Sequence, residues 1–334
     1  HVEKLLVLFD VFEGINGTRG HEGNDLFQEV LQNITPEDIK RLSEKHGIDP
    51  WGATSWHKGV TGGSDDHAGL FVGHTWTCAE AGSKEEFINA LRNRQTTAGG
   101  RYGDYKALAY GIYKIASEYM HENRPQTTGM VSMLSSILFD PAGPSFKEKL
   151  IMRKLGLRHS KRDKILSRFI NNLYQISQDK QQHGANWQIE AAYEALGALV
   201  DDFTGTIAQS VEDGINGKTS QGIMKYISSL LPAIVFSAPF VSTLRVLNQS
   251  RDLHNQLSEE FHLEKPAARR TLWITDTFAD LNGVAVTMQE ISNTARAEGL
   301  PLLIVGCPTN AEKDLAITRH ILRLPCVYEF TPEF

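Results

Sequence analysis

Between Tyr105 and about Leu263 the chain loses nearly all two-residue alternation, and its apolar residues recur three and four positions apart. Leu108, Ile112, Ile115 and Tyr119 show the spacing early, and Ile189, Tyr193, Leu196, Val200 and Phe203 show it later. That spacing puts side chains on one face of a 3.6-residue helix. A helical block of this length is more than a connector. It divides the 334 residues into three parts: α/β over 1–100, all-α over 101–265, and α/β again over 266–334. No internal repeat is legible.

In the first part, Leu5–Phe9 reads as a strand. Thr35-Pro36-Glu37-Asp38 opens a helix, with Thr35 as N-cap, proline in the first turn and acids beside the positive helix end. That helix is expected to run to His46 and stop at Gly47. Ser83-Lys84-Glu85-Glu86 opens another, with Glu86 at the capping-box position and Phe87, Ile88 and Leu91 facing inward. Thr96–Gly100 closes the unit.

The most chemically pointed stretch is Gly62-Gly63-Ser64-Asp65-Asp66-His67, which follows a short extended run, Gly59-Val60-Thr61. On extended backbone, residues two apart share a side, so Asp65 and His67 are expected to converge on one ion. A carboxylate oxygen beside an imidazole nitrogen suits Zn, Mn or Fe. Upstream, Val11-Phe12-Glu13-Gly14-Ile15-Asn16-Gly17 ends an apolar run in an acid and a glycine-rich turn. Glu13 and Asn16 are read as residues that fix the loop or orient the metal ligands.

This order of strand, Glu-x-x-Asn-Gly, helix and Gly-Ser-Asp-x-His resembles the last part of a PHP (polymerase and histidinol phosphatase) domain, over roughly residues 1–100. The resemblance implies part of a distorted (β/α) barrel and metal-dependent hydrolysis of a phosphorylated small molecule. Asp65 and His67 would supply only part of the metal cluster, because the family draws its other ligands from earlier motifs. The chain starts at His1, so it is expected to be an internal piece of a longer polypeptide, and to be inactive alone.

Thr271–Thr275 reads as a strand, Asp276 to Asn282 as a polar loop, Gly283 to about Ala297 as a helix stopped by Gly299, and Leu302–Val305 as a second strand. Strand, helix, strand is a βαβ unit and implies parallel pairing. There is no GxGxxG and no Walker lysine. Trp273-Ile274-Thr275-Asp276-Thr277-Phe278 followed by Asn282-Gly283-Val284-Ala285 resembles the opening of retaining GT-B glycosyltransferases. The resemblance covers about 269–334 and implies a partial Rossmann-like half-domain. Asp276, Asn282 and Gly283 would line a substrate cleft, and a nucleotide sugar would be the donor to a sugar-containing, envelope or lipid-linked acceptor.

Composition narrows the partners. A net charge of −6 and a pI near 6.1 give no general attraction to nucleic acid. Cys78, Cys307 and Cys326 form no CxxC pair and no disulfide framework, which favours a reducing, cytoplasmic compartment. Residues 147–168 hold nine Lys/Arg against Glu148 and Asp163. Residues 226–244 carry no charge but include Pro232 and Pro239. The two stretches together suggest contact with an anionic membrane surface, and the prolines predict a broken helix rather than a span. The favoured reading is a two-enzyme fusion. A non-catalytic PHP-like scaffold and a membrane-associated helical adaptor stand as alternatives.

Overall fold

A computed structural model describes residues 1–123, 130–140, 142–215, 231–248, 251–263, 271–275, 278, 283–306 and 321–323. Two compact units divide the chain: His1–Gly197 with Ile234–Lys265, and Ala198–Ala233 with Pro266–Phe334. The α/β residues 1–100 and most of the helical part lie in the first of these units.

The first unit opens with helix α1 (Val2–Leu8), which replaces the strand expected at Leu5–Phe9. Leu6 and Val7 are buried while Leu5 and Leu8 are exposed. That one-sided burial suits a helix laid on a core. Strand β1 (Val11–Asn16) follows, then α2 (His21–Asn33) and α3 (Pro36–His46). The α3 start is as expected: Thr35 Oγ1 accepts from the Asp38 N–H at 3.1 Å, and Asp38 returns a bond to the Thr35 N–H at 3.0 Å. Gly47 closes it with a left-handed φ of 62°, a conformation that costs glycine little.

Leu6, Val7, Val30, Leu31, Ile34, Ile39 and Leu42 make one apolar core. Leu257 and Phe261 join it from the segment of helix α10 (Arg251–Glu260).

Strand β2 (Gly59–Gly63) pairs in parallel with β1, and β3 (Thr75–Cys78) pairs antiparallel with β4 (Thr97–Gly100). The Thr77 side chain ties the two sheets, bonding the Gly62 N–H at 3.0 Å and its carbonyl at 3.1 Å. Among the described residues there is no closed barrel. Between β3 and β4 runs α4 (Lys84–Arg92), capped by Ser83. Glu86 bonds the Gly82 N–H at 2.6 Å, outside the expected capping box. Ala90 is the residue α4 buries, and Ile88 is exposed.

The helical part holds α5 (Tyr105–Asn123), α6 (Met130–Leu138), α7 (Phe146–Gly156), α8 (Lys161–Ile215), α9 (Leu231–Asn248) and α10. Helix α8 is broken at Gly184, where φ is 77° and ψ 177°. Helix α9 continues through Pro239 instead of ending there. Pro232 is its second residue, where the absent N–H is not missed. Residues 226–230 lie outside the described residues.

In the second unit, β5 (Thr271–Thr275), β6 (Leu302–Gly306) and β7 (Ile321–Arg323) form a parallel sheet in the order β5-β6-β7. Helix α11 (Gly283–Ala297) connects β5 to β6, as the spacing predicts. It buries Ala285, Met288, Ser292 and Ala295, while Val286 and Ile291 face outward. Phe278, Met288 and Ile304 form its core.

Candidate active site at the strand ends

Parallel strands β1 and β2 deliver the chain to a common carboxyl edge, the edge at which open α/β sheets hold ligands. A bulge shapes that edge. Glu13 faces Thr61 but Ile15 faces Gly62, leaving Gly14 as an extra residue in β1. On a regular strand, residues three apart point to opposite faces. The extra residue re-aims the strand end, so that Asn16 Nδ2 reaches Glu13 Oε2 at 3.0 Å.

Asn16 is the hub. The same Nδ2 donates to Asp65 Oδ2 at 3.0 Å. Its Oδ1 accepts from the Thr18 N–H at 3.0 Å and from the Thr18 hydroxyl at 2.7 Å. Buried Asn24 holds the backbone of the hub, accepting from the Asn16 N–H at 3.0 Å and donating to the Asn16 and Arg19 carbonyls at 3.1 and 3.2 Å. The four residues singled out in the sequence, Glu13, Asn16, Asp65 and His67, therefore meet in one network. Thr18 and Asn24 were missed. The Asn-Gly-Thr spacing of a side-chain-stabilised turn could have flagged Thr18, whereas Asn24 carries no such local signal.

The route by which Asp65 meets His67 differs from the expected strand alternation. Strand β2 ends at Gly63, and Asp65 sits in the left-handed region with φ 45°. This loop turn sets His67 Nε2 3.3 Å from Asp65 Oδ1. The His67 side chain is 79% exposed, so the pair is open to solute. The Asn16 hydrogen bond, with help from Thr18 and His67, outweighs burial and holds the Asp65 carboxyl below its ordinary range. Asp66 fixes the next turn, accepting from the Ala68 N–H at 2.9 Å and from the Phe71 N–H, and lines the same side of the site.

A cleft of about 260 Å³ opens beside the pair. Thr18, Asp65, His67 and Arg101 give it a polar side, and Leu108, Ile112, Ile115 and Val246 an apolar one. The apolar face of α5 seen in the sequence spacing thus turns in part to the cleft, and Ile112 and Ile115 are exposed. The Arg101 guanidinium lies over the Phe71 ring at 3.8 Å, and burial lowers its pKa. Asp104 caps α5 by accepting from the Ala107 N–H at 2.8 Å and stands 3.7 Å from Arg101. Gly103 must be glycine: a Cβ there would meet Thr18 at 2.5 Å. His21 stands apart, stacked on Tyr102 at 3.8 Å.

The donor set fits part of a metal site. Asp65 Oδ1 and His67 Nε2 are a carboxylate oxygen and an imidazole nitrogen on one open side. Among the described residues no group of three His, Cys, Asp or Glu is placed to hold a metal ion.

In the second unit, Gly283 is the first residue of α11, and a side chain there would meet nothing within 4 Å. Asp276 and Asn282 lie outside the described residues. In the basic segment, α7 buries none of its residues, and Phe146, Ile151 and Leu157 are exposed among the lysines and arginines. Among the described residues no helix is long and apolar enough to cross a membrane. No family model, curated protein or solved structure matches the chain.

Proposed function

We propose that residues 1–100 carry the strand-end part of a metal-assisted phosphoesterase site, in a protein that also transfers sugar through the domain begun at 266–334. The observation that supports the first activity is the Asn16-centred network that presents Asp65 and His67 side by side on an open cleft. Asp65 stays ionised and His67 offers Nε2, so together they would hold a divalent ion such as Zn, Mn or Fe. Such an ion supplies an activated water and neutralises phosphoryl charge. Asn16 and Thr18 fix the Asp65 carboxylate, and Arg101 stands across the cleft as a donor for phosphoryl oxygens. The apolar wall of α5 would accept the remainder of a phosphorylated small molecule.

The test is hydrolysis of p-nitrophenyl phosphate by the full-length protein with added Mn²⁺ or Zn²⁺. Asp65→Ala and His67→Ala should each lower the rate on the order of 100-fold or more, as losing a metal ligand does. Unchanged rates in both variants reject the assignment and leave a scaffold. For sugar transfer, Gly283 opens a helix whose free N–H groups suit a phosphate or hydroxyl. Gly283→Val should suppress transfer from a nucleotide sugar while leaving the melting temperature in place. Transfer at the wild-type rate would sink that part.

A second reading, attachment to an anionic membrane, is favoured by α7, whose exposed Phe146 and Leu157 lie within a basic run. Flotation with phosphatidylserine liposomes should fail in a Phe146→Ser, Leu157→Ser variant. Flotation equal to wild type would remove this reading.

A further inference from the structure

The strand-end cleft combines two kinds of lining. Arg19, Asp65, His67 and Arg101 stand on its polar side. On its apolar side, Leu108, Ile112 and Ile115 recur at the four- and three-residue steps that share one face of α5. Val246 joins them from α9. Ile112 and Ile115 are each 42% exposed and Val246 46%. Single exposed aliphatic residues are ordinary on a protein surface. Three large ones from two helices, gathered on one opening, form the kind of patch that marks a ligand groove.

The chemistry around the opening says what fits it. Helix α5 turns Ala107, Leu108, Gly111, Ile112 and Ile115 to the cleft, none with a side-chain hydrogen-bonding group. A sugar or polyol laid on that wall would give up bonds to water and gain none. The other end of the ligand meets the opposite conditions. Asp66 and Asp104 also line the cleft, but the backbone N–H groups of Ala68, Phe71 and Ala107 engage their carboxylates. The Arg19 and Arg101 guanidiniums, beside the Asp65–His67 pair, suit an anionic head.

We infer that the substrate is a phosphate monoester of an apolar alcohol, with its phosphoryl group on the arginine side and its hydrocarbon along α5. The inference rests on the phosphoesterase reading above and adds the substrate class. In the hydrolysis, the oxygen of water bonds to phosphorus and the bond from phosphorus to the ester oxygen breaks. The alcohol leaves with a proton, and inorganic phosphate remains. From Leu108 to Ile115 a helix rises about 10 Å, and an extended chain advances about 1.2 Å per bond, so the wall suits about eight carbons. The hydrocarbon lies away from the phosphorus, binds ground and transition states alike, and therefore acts on KM.

The experiment compares methyl, butyl and octyl phosphate and glucose 6-phosphate as substrates of the full-length protein with Mn²⁺. From methyl to octyl, kcat/KM should rise about threefold per added methylene, the worth of moving a CH₂ from water onto an apolar surface, with KM carrying the change. Glucose 6-phosphate should rank below butyl phosphate. By calorimetry with Mn²⁺, octylphosphonate, which is not hydrolysed, should bind more tightly than methylphosphonate. An Ile115→Ser, Val246→Ser variant should weaken octylphosphonate about tenfold. Equal kcat/KM for all four esters, a preference for glucose 6-phosphate, or equal octylphosphonate affinity in wild type and variant overturns the substrate class and leaves the phosphoesterase reading standing. Hydrolysis of none of the esters removes both. The two replaced side chains are exposed, so the variant should melt with wild type; if it melts lower, the ester series on wild type decides alone.

Discussion

The two ends of the β1–β2 pair carry similar polar residues and put them to opposite uses. At the amino end, Asp10, Lys58 and Arg94 form a charged network under the chain. The Lys58 side chain is fully enclosed and its ammonium donates to the Leu6 and Phe9 carbonyls at 2.6 and 2.7 Å. Arg94 binds Asp10 at 2.6 Å, the Thr54 carbonyl at 2.8 Å and the His57 carbonyl at 2.9 Å. At the carboxyl end, Asp65 and His67 stand in solvent on a frame built by Asn16. Enclosed charges staple loops to the sheet; open ones remain free to take a ligand. The lesson is that burial, more than residue type, separates a structural polar cluster from a chemical one.

The comparison breaks first at Arg94. Arg94→Ala removes the bonds to residues 54 and 57 and leaves Asp10 with Lys58 3.8 Å away as its one charged neighbour among the described residues. Losing several hydrogen bonds to or from a charged, part-buried group costs about 3 kcal/mol, and urea unfolding should show a loss of that size. A loss under about 1 kcal/mol, the range of a surface pair, would place the amino-end network with the exposed one. Asp65→Asn, by contrast, should change stability by less than about 1 kcal/mol while phosphoester hydrolysis falls.

Lys58 sharpens the contrast through pH. Burial is the main cause that lowers its pKa to about 8, against a smaller opposing pull from Asp10. A lysine depressed in the folded state binds fewer protons there than when unfolded, between pH about 8 and its ordinary value. Stability should therefore rise with pH across that window, by about 3 kcal/mol in total. The rise should be absent in Lys58→Met. A slope that persists in the variant assigns it to another group.

Local signals in the sequence were legible where the physics is local. The Thr35 cap, the Gly47 stop, and the strand–helix–strand order of 271–306 all depend on neighbours within a few residues. The composition of the strand-end cluster was legible for the same reason, since Asp65 and His67 are two apart and Glu13 and Asn16 three. Its geometry was not, because the bulge at Gly14 arises from pairing with another strand and the left-handed Asp65 sits in a turn tied to the distant Asn16. Leu5–Phe9 fits either helix or strand as a bare apolar run. Packing on the α2–α3 core, and Lys58 at its last carbonyls, decide for helix. Lys58 itself reads as a solvated charge until the chain closes over it. That the α5 stripe lines a cleft was illegible, since a stripe that fills a core and one that lines a cavity have the same spacing.

The smallest expected effect lies at the open end and has the opposite pH direction. The Asn16 bond, aided by Thr18 and the neighbouring His67, lowers the Asp65 pKa in the folded state. A depressed carboxylate stabilises the fold above its unfolded value, near 3.8, and that contribution disappears as pH falls through the folded value. Because the Asp65 side chain is 41% exposed, solvent screens most of it. The acid-side loss specific to Asp65 should be under about 0.5 kcal/mol, seen as a small difference between wild type and Asp65→Asn below pH 4. A difference as large as the alkaline rise of Lys58 would mean that Asp65 is enclosed in solution. The strand-end cluster would then be a second structural staple, and the cleft beside it would lose its claim to chemistry.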